Sequence, residues 1–159
     1  MAEEGGSKKK VMVAIDESEY SHYALEWALT KLRDSISTSS LIIFTAEPRS
    51  EINYISAAAY GAAPPELIMS VQNYKDKLAV ALLEKAKEIC AAHGVTAETI
   101  AQIGDPKEVI CEAVEKLNID LLIVGSHGRG FIQRAFLGSV SSYCGNHAKC
   151  PVLIVKKPE

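Results

Sequence analysis

The sequence predicts a single α/β domain of the doubly wound kind, an open five-stranded parallel sheet with helices on both faces. Three observations carry this prediction. Five short apolar runs rich in β-branched residues punctuate the chain, and four of them are nearly continuous in hydrophobicity, as strands buried on both faces are. Helical periodicity fills the intervals between them, the alternation that builds parallel sheets with right-handed crossovers. The length of 159 residues suits one domain, and a domain of that size buries roughly 68–70% of its unfolded surface.

Residues 1–9 read as a flexible tail and residues 10–159 as the domain. Lys8-Lys9-Lys10 is a solvated lead-in to the first strand, Val11 to Ile15, and not a targeting patch. Ala24, Trp27, Ala28 and Leu32 form the stripe of the first helix, with Trp27 as a core anchor. The second strand runs from Leu41 to Thr45. From Glu47 to Pro65 the chain loses periodicity and collects Pro48, Ala57-Ala58-Ala59, Gly61, Pro64 and Pro65, which reads either as a lid over a site or as a disordered insertion. Ala79, Leu82, Leu83, Ala86 and Cys90 mark a long second helix, and Thr99 to Ile103 the third strand. Pro106 opens a helix whose stripe is Val109, Ile110, Ala113, Val114 and Leu117. Leu121 to Val124 is the fourth strand and Val152 to Val155 the fifth, where Pro151 at the strand start is compatible with a sheet edge.

Composition narrows the function classes. A hydrophobic content of 48%, 23% charged residues and a net charge of −3 describe a globular protein and exclude disordered and nucleic-acid-coating classes. Neither a signal-peptide core nor an apolar run of about 18 residues is present, so no membrane partner is expected and the expected location is cytoplasmic, with nuclear access open. The four cysteines, Cys90, Cys111, Cys144 and Cys150, lack C-x-x-C spacing and read as reduced packing residues, with Cys144 and Cys150 the candidate redox pair. His22, His93, His127 and His147 are scattered, so no structural metal is expected.

Gly125-Ser126-His127-Gly128, nine further residues, then Gly138-Ser139 is the stretch that carries chemistry. It follows a buried-strand pattern and leads into a helix. Glycine lets backbone N–H groups approach an anion without interference from Cβ, and a helix N-terminus adds N–H donors and a favourable dipole. Walker-type G-x-x-x-x-G-K-[ST] and dinucleotide G-x-G-x-x-G spacings are both absent. Ligands of open α/β sheets bind beyond the carboxyl ends of strands, where neighbouring connections depart in opposite directions. Asp16-Glu17-Ser18-Glu19 after the first strand and Gly125–Gly128 after the fourth meet there if those strands are neighbours. Asp16 then either accepts a ribose hydroxyl, sits beside a metal–phosphate group or caps the first helix. Arg129 and Arg134 read as surface residues or as phosphate partners.

At these residues the chain resembles the universal stress proteins, in particular the small single-domain kind common in plants. The resemblance rests on Val11-Met12-Val13-Ala14-Ile15-Asp16-Glu17-Ser18, on Gly104-Asp105-Pro106, and on Asp120 through Gly128. Leu137-Gly138-Ser139-Val140-Ser141 and Cys150 through Lys156 complete it in the family's order. Gly125, Gly128, Gly138 and Ser139 match the pattern G-x-x-G-x9-G-[ST], whose bearers bind ATP or related adenine nucleotides. The resemblance implies the strand order 3-2-1-4-5. It implies backbone contact to adenine from Ala14 and Ile15, an acidic contact from Asp16 and a base-edge contact from Thr45. Val124 and Gly125 would flank the ribose, while Gly128, Gly138, Ser139, Val140 and Ser141 would hold phosphates, with Mg²⁺ accompanying a triphosphate. Ile15 departs from the small polar residue or Pro of other members. A homodimer through the last strand, Val152 to Val155, is implied as well, and it would cover that edge. The leading expectation is a dimeric ATP- or AMP-binding module of the stress response. Two alternatives stand beside it: a slow ATP hydrolase or nucleotidyl-transfer enzyme using Asp16 or His127, and a redox-responsive chaperone using Cys144 and Cys150 or exposed apolar surface.

Overall fold

Val11 to Ile15 carry apolar side chains at every position, so their strand can leave water only if both of its faces are covered. In the computed structural model, which describes residues 8–48, 65–128 and 137–158, this segment is β1 (Lys10–Ile15) at the centre of the sheet. Its flanks are β2 (Ser40–Glu47) and β4 (Leu121–Gly125), followed outward by β3 (Ala97–Ile103) and β5 (Val152–Val155). The order is β3-β2-β1-β4-β5 and every pairing is parallel. Val13 stands level with Ile43 on one side and Ile123 on the other.

Alternation along each strand divides the core into two layers. Val11, Val13, Ile15, Leu41, Ile43 and Ile123 face α1 (Glu19–Lys31) and α3 (Pro65–Ala92), against Ala24, Leu25, Leu29, Leu83 and Cys90. Met12, Ala14, Ile42, Phe44, Leu122 and Val124 face the opposite layer, which holds Val109, Ile110 and Val114 of α4 (Pro106–Lys116) and Cys144 of α5 (Ser139–His147). Trp27 packs against the first layer, as its place in the helical stripe predicts. β5 obeys the same rule: Val152 and Ile154 pack into the second layer, Leu153 and Val155 into the first.

Local chemistry sets the helix ends. Ser18 caps α1, its Oγ accepting from the Ser21 N–H at 3.3 Å, with Glu19 in the first turn and Lys31 in the last. A short helix that the periodicity does not reveal, α2 (Arg33–Ser37), follows at once. It is drawn in by Ile36, which is buried, while the hydroxyls of Ser37, Thr38 and Ser39 donate back to carbonyls of Asp34 and Ser35. Gly104 turns the chain from β3 into α4 at φ 152°, and a Cβ there would come within 2.5 Å of Val109 Cγ1. The irregular stretch that reads as a lid lies, from residue 49 to residue 64, outside the described residues, as does most of the N-terminal tail. Among the described residues no helix is long and apolar enough to cross a membrane.

Glu47, at the end of β2, is half-buried and faces Asp76 of α3. Burial first, and the neighbouring carboxylate second, push its carboxyl above the ordinary value of 4.5, with Lys75 opposing them. A carboxyl raised in the folded state contributes stability that is present below its unfolded pKa and lost as pH rises through the folded one. Glu47→Gln is therefore expected to raise the unfolding midpoint at pH 7, by about 1–3 °C, and to leave it nearly unchanged at pH 4. Paired thermal scans of parent and variant at the two pH values check this.

Candidate functional site

β1 and β4 are adjacent, and their connections depart to opposite layers: β1 leads into α1 on one face and β4 leads toward α5 on the other. Their carboxyl ends consequently leave a crevice, the place where open α/β sheets receive ligands. A cavity of about 250 Å³ lies there, close to the lower end of the roughly 300–1,000 Å³ usual for small-ligand sites. Its walls come from the ends of β1, β2 and β4, from the start of α4, and from the turn that begins α5.

Asp16 stands at the mouth with its two carboxylate oxygens in different employment. Oδ1 accepts from the Ser18 N–H at 2.8 Å, and the Ser21 hydroxyl is within reach of the same oxygen at 3.1 Å. The Asp16 N–H in turn donates to Ser21 Oγ at 3.0 Å. Oδ2 points toward Gly128, where an added Cβ would lie only 2.6 Å away. Asp16 thus supports the turn before α1, although the cap of that helix is Ser18 and not Asp16, and it lines the cavity.

The glycines divide by what surrounds them. At Gly125 a Cβ would meet the backbone carbonyl of Tyr20 at 2.8 Å, so glycine here lets α1 rest against the end of β4. At Gly138 it would meet His127 Cα and Ser126 O at 3.2 Å. The Ser126 carbonyl accepts from the Gly138 N–H at 2.8 Å and from the Ser141 hydroxyl at 2.9 Å, tying the start of α5 to the loop after β4. Gly138 is the N-cap of α5 and brings no capping side chain. The first turn of a helix presents N–H groups without intrahelical acceptors, together with the positive end of the dipole. His127 lines the cavity beside Asp16, its ring meeting that of Tyr20 edge-on at 5.2 Å and 76°.

Of the residues singled out in the sequence, Ala14, Ile15, Asp16, Val124, Gly125, Gly128, Gly138, Ser139, Val140 and Ser141 come together as the lining. Thr45 stands apart from them: it is buried, and its hydroxyl donates to the Ile15 carbonyl at 2.8 Å. Strand parity explains the difference. Ala46 shares the face of Phe44 and Ala14 and looks toward α4 and α5, and it lines the cavity in place of Thr45. Counting alternation from Phe44 would have found it. Ser21, Pro106, Ile110, His127 and Leu137 also line the wall. Pro106 and Ile110 arrive through the packing of α4 on the second layer, a tertiary fact without a local motif. Arg129 and Arg134 lie outside the described residues. Among the described residues no group of three His, Cys, Asp or Glu side chains is arranged to hold a metal ion.

The arrangement defines a class: a doubly wound α/β protein with a glycine-lined crevice at its switch point. Within that class the chain belongs to the universal stress protein family, whose profile matches residues 8–156. The universal stress protein A-like protein of Arabidopsis thaliana is 34% identical over 163 residues, covering 96% of this chain and 93% of that protein. Among solved structures, a universal stress family protein from Arabidopsis thaliana with AMP bound superposes with a TM-score of 0.69 at 29% identity, over 94% of this chain and 92% of that one. A universal stress protein in complex with cAMP superposes with a TM-score of 0.64 at 26% identity, over 96% of this chain and 100% of that one.

The two loop glycines should respond differently to a methyl group. Gly125→Ala drives Cβ into backbone that cannot swing aside and is expected to cost about 1–3 kcal/mol. Gly128→Ala meets the Asp16 carboxylate, a side-chain end that must shift against the bonds holding its other oxygen, and is expected to cost less than Gly125→Ala. Urea unfolding of both variants checks the order, and a Gly128→Ala protein less stable than Gly125→Ala would contradict it.

Proposed function

We propose that the crevice binds an adenine nucleotide, ATP or AMP, and that the protein acts as a dimeric binding or signalling module in a stress response. The observation that carries this reading is the cradle made by Gly128, Gly138 and the first turn of α5, where a Cβ at either glycine would occupy space beside Asp16 or His127. Such a surface favours an anion because N–H groups can approach it closely and the helix dipole adds to their pull. The AMP and cAMP complexes of the relatives support the same ligand class.

In this reading Gly128, Gly138, Ser139, Val140 and Ser141 hold the phosphates, and Val124 and Gly125 flank the ribose. Asp16, at the lining of the crevice, accepts from a ribose hydroxyl. Ala14 and Ile15 border the base. Thr45 acts through the Ile15 carbonyl that it fixes, one bond behind the wall. A triphosphate would bring Mg²⁺ with it. The dimer forms through β5, whose outer backbone edge has no neighbouring strand in the five-strand order while its side chains serve the chain's own two layers.

Thermal unfolding with AMP or Mg²⁺-ATP tests the reading. Ligand at 100 times its dissociation constant adds about 2.7 kcal/mol, a rise of roughly 5–11 °C in midpoint for a domain of this size. The rise is expected in the parent and not in a folded Gly128→Ala, Gly138→Ala double variant. No rise in the parent, at ligand above millimolar and with carried-over nucleotide excluded by mass spectrometry, would overturn nucleotide binding and leave the fold intact.

A further inference from the structure

Cys111 of α4 and Cys144 of α5 approach within 3.9 Å, sulfur to sulfur, although 33 positions separate them in the chain. The sequence points instead to Cys144 and Cys150, which are close in the chain. Cys90 belongs to the other core layer, so the fold sets it apart from this pair. Cys144 is buried, whereas Cys111 is partly exposed and lines a groove of about 420 Å³ between α4 and α5, beside Glu112, Tyr143 and His147. A disulfide holds its sulfurs about 2.05 Å apart. Closing the gap therefore asks for an approach of roughly 2 Å.

We propose that Cys111 and Cys144 form a redox-sensitive dithiol that hydroperoxides convert to an intramolecular disulfide. Peroxide enters by the groove and reaches Cys111 first. The Cys111 thiolate attacks one peroxide oxygen, the O–O bond breaks, and the sulfur becomes a sulfenic acid with release of water or an alcohol. The Cys144 sulfur then attacks the sulfenic sulfur, and its proton leaves with the sulfenic hydroxyl as one water as the S–S bond forms. Two thiols are oxidised by two electrons and one peroxide is reduced. Burial pushes Cys144 up to about 12 and also raises Cys111.

Position gives the bond its consequence. Cys111 follows Ile110, and Cys144 lies three residues after Ser141; both of those neighbours line the crevice. The disulfide would join the two helices that form that wall. This modification site needs no bound nucleotide, and its test stands apart from the ligand reading.

The test treats the reduced full-length protein with hydrogen peroxide, alkylates the remaining thiols and maps linked peptides by mass spectrometry. The expected product is a monomeric Cys111–Cys144 linkage, lighter by two hydrogens and reversed by dithiothreitol. It is expected to disappear in Cys111→Ser and in Cys144→Ala and to persist in Cys150→Ser. Because Cys111 is at the surface of the groove, its serine variant should unfold in the reduced state like the parent, which keeps the control independent of folding. A Cys144–Cys150 or intermolecular linkage as the main product would overturn the proposal. So would Cys111 advancing to sulfinic acid with Cys144 unmodified, or both thiols remaining fully alkylatable under peroxide that oxidises a free cysteine control.

Discussion

Burial of β1 on both faces is the constraint from which the rest of the molecule follows. Met12 and Val13 are each fully withdrawn from solvent, and they point in opposite directions. A strand of that kind needs a layer of helices above and another below. Supplying both layers from one chain makes the connections after β1 and β4 part company, and the gap between them is where the crevice opens. The site is thus a by-product of covering the central strand, and its walls inherit the rigidity of the two core layers.

Within that gap, the absence of side chains matters as much as their presence. Gly125 lets α1 settle against the end of β4, which brings Asp16 and Ser21 over the mouth. Ser126 then turns inward, buried, with its N–H donating to Val155 and its carbonyl receiving Gly138 and Ser141. Five backbone or hydroxyl groups converge there without a charged side chain among them. The loop after β4 is held to β5 on one side and to α5 on the other, so the glycine cradle is anchored by the same bonds that finish the sheet.

The fold could be read from the sequence because its main determinant is local and repeated: continuous apolar strands, with turn residues between them, leave little room for another architecture. All five strands appear where the apolar runs lie, extended by one or two residues at several ends. Most of the crevice was equally legible, since Asp16 and the Gly125–Ser141 pattern sit directly on strand and helix termini. What escaped were features decided across the chain. Ala46 replaces Thr45 at the wall through parity, Ile110 arrives through helix docking, and Cys111 meets Cys144 from 33 positions away. The α2 helix escaped for another reason: it is too short and too polar to show a periodicity, and Ile36 is its one buried residue.

The bonds that fix Asp16 have a consequence for conformational entropy. Because Oδ1 is held by the Ser18 N–H, with the Ser21 hydroxyl beside it, the carboxylate has already given up much of its rotational freedom when the chain folds. In the bound state proposed above, a ligand would meet a side chain already ordered, and the ordering that usually accompanies a new polar contact would be correspondingly smaller. The bonds that shape the turn before α1 and the ligand contact proposed for Asp16 would then reinforce each other in one side chain.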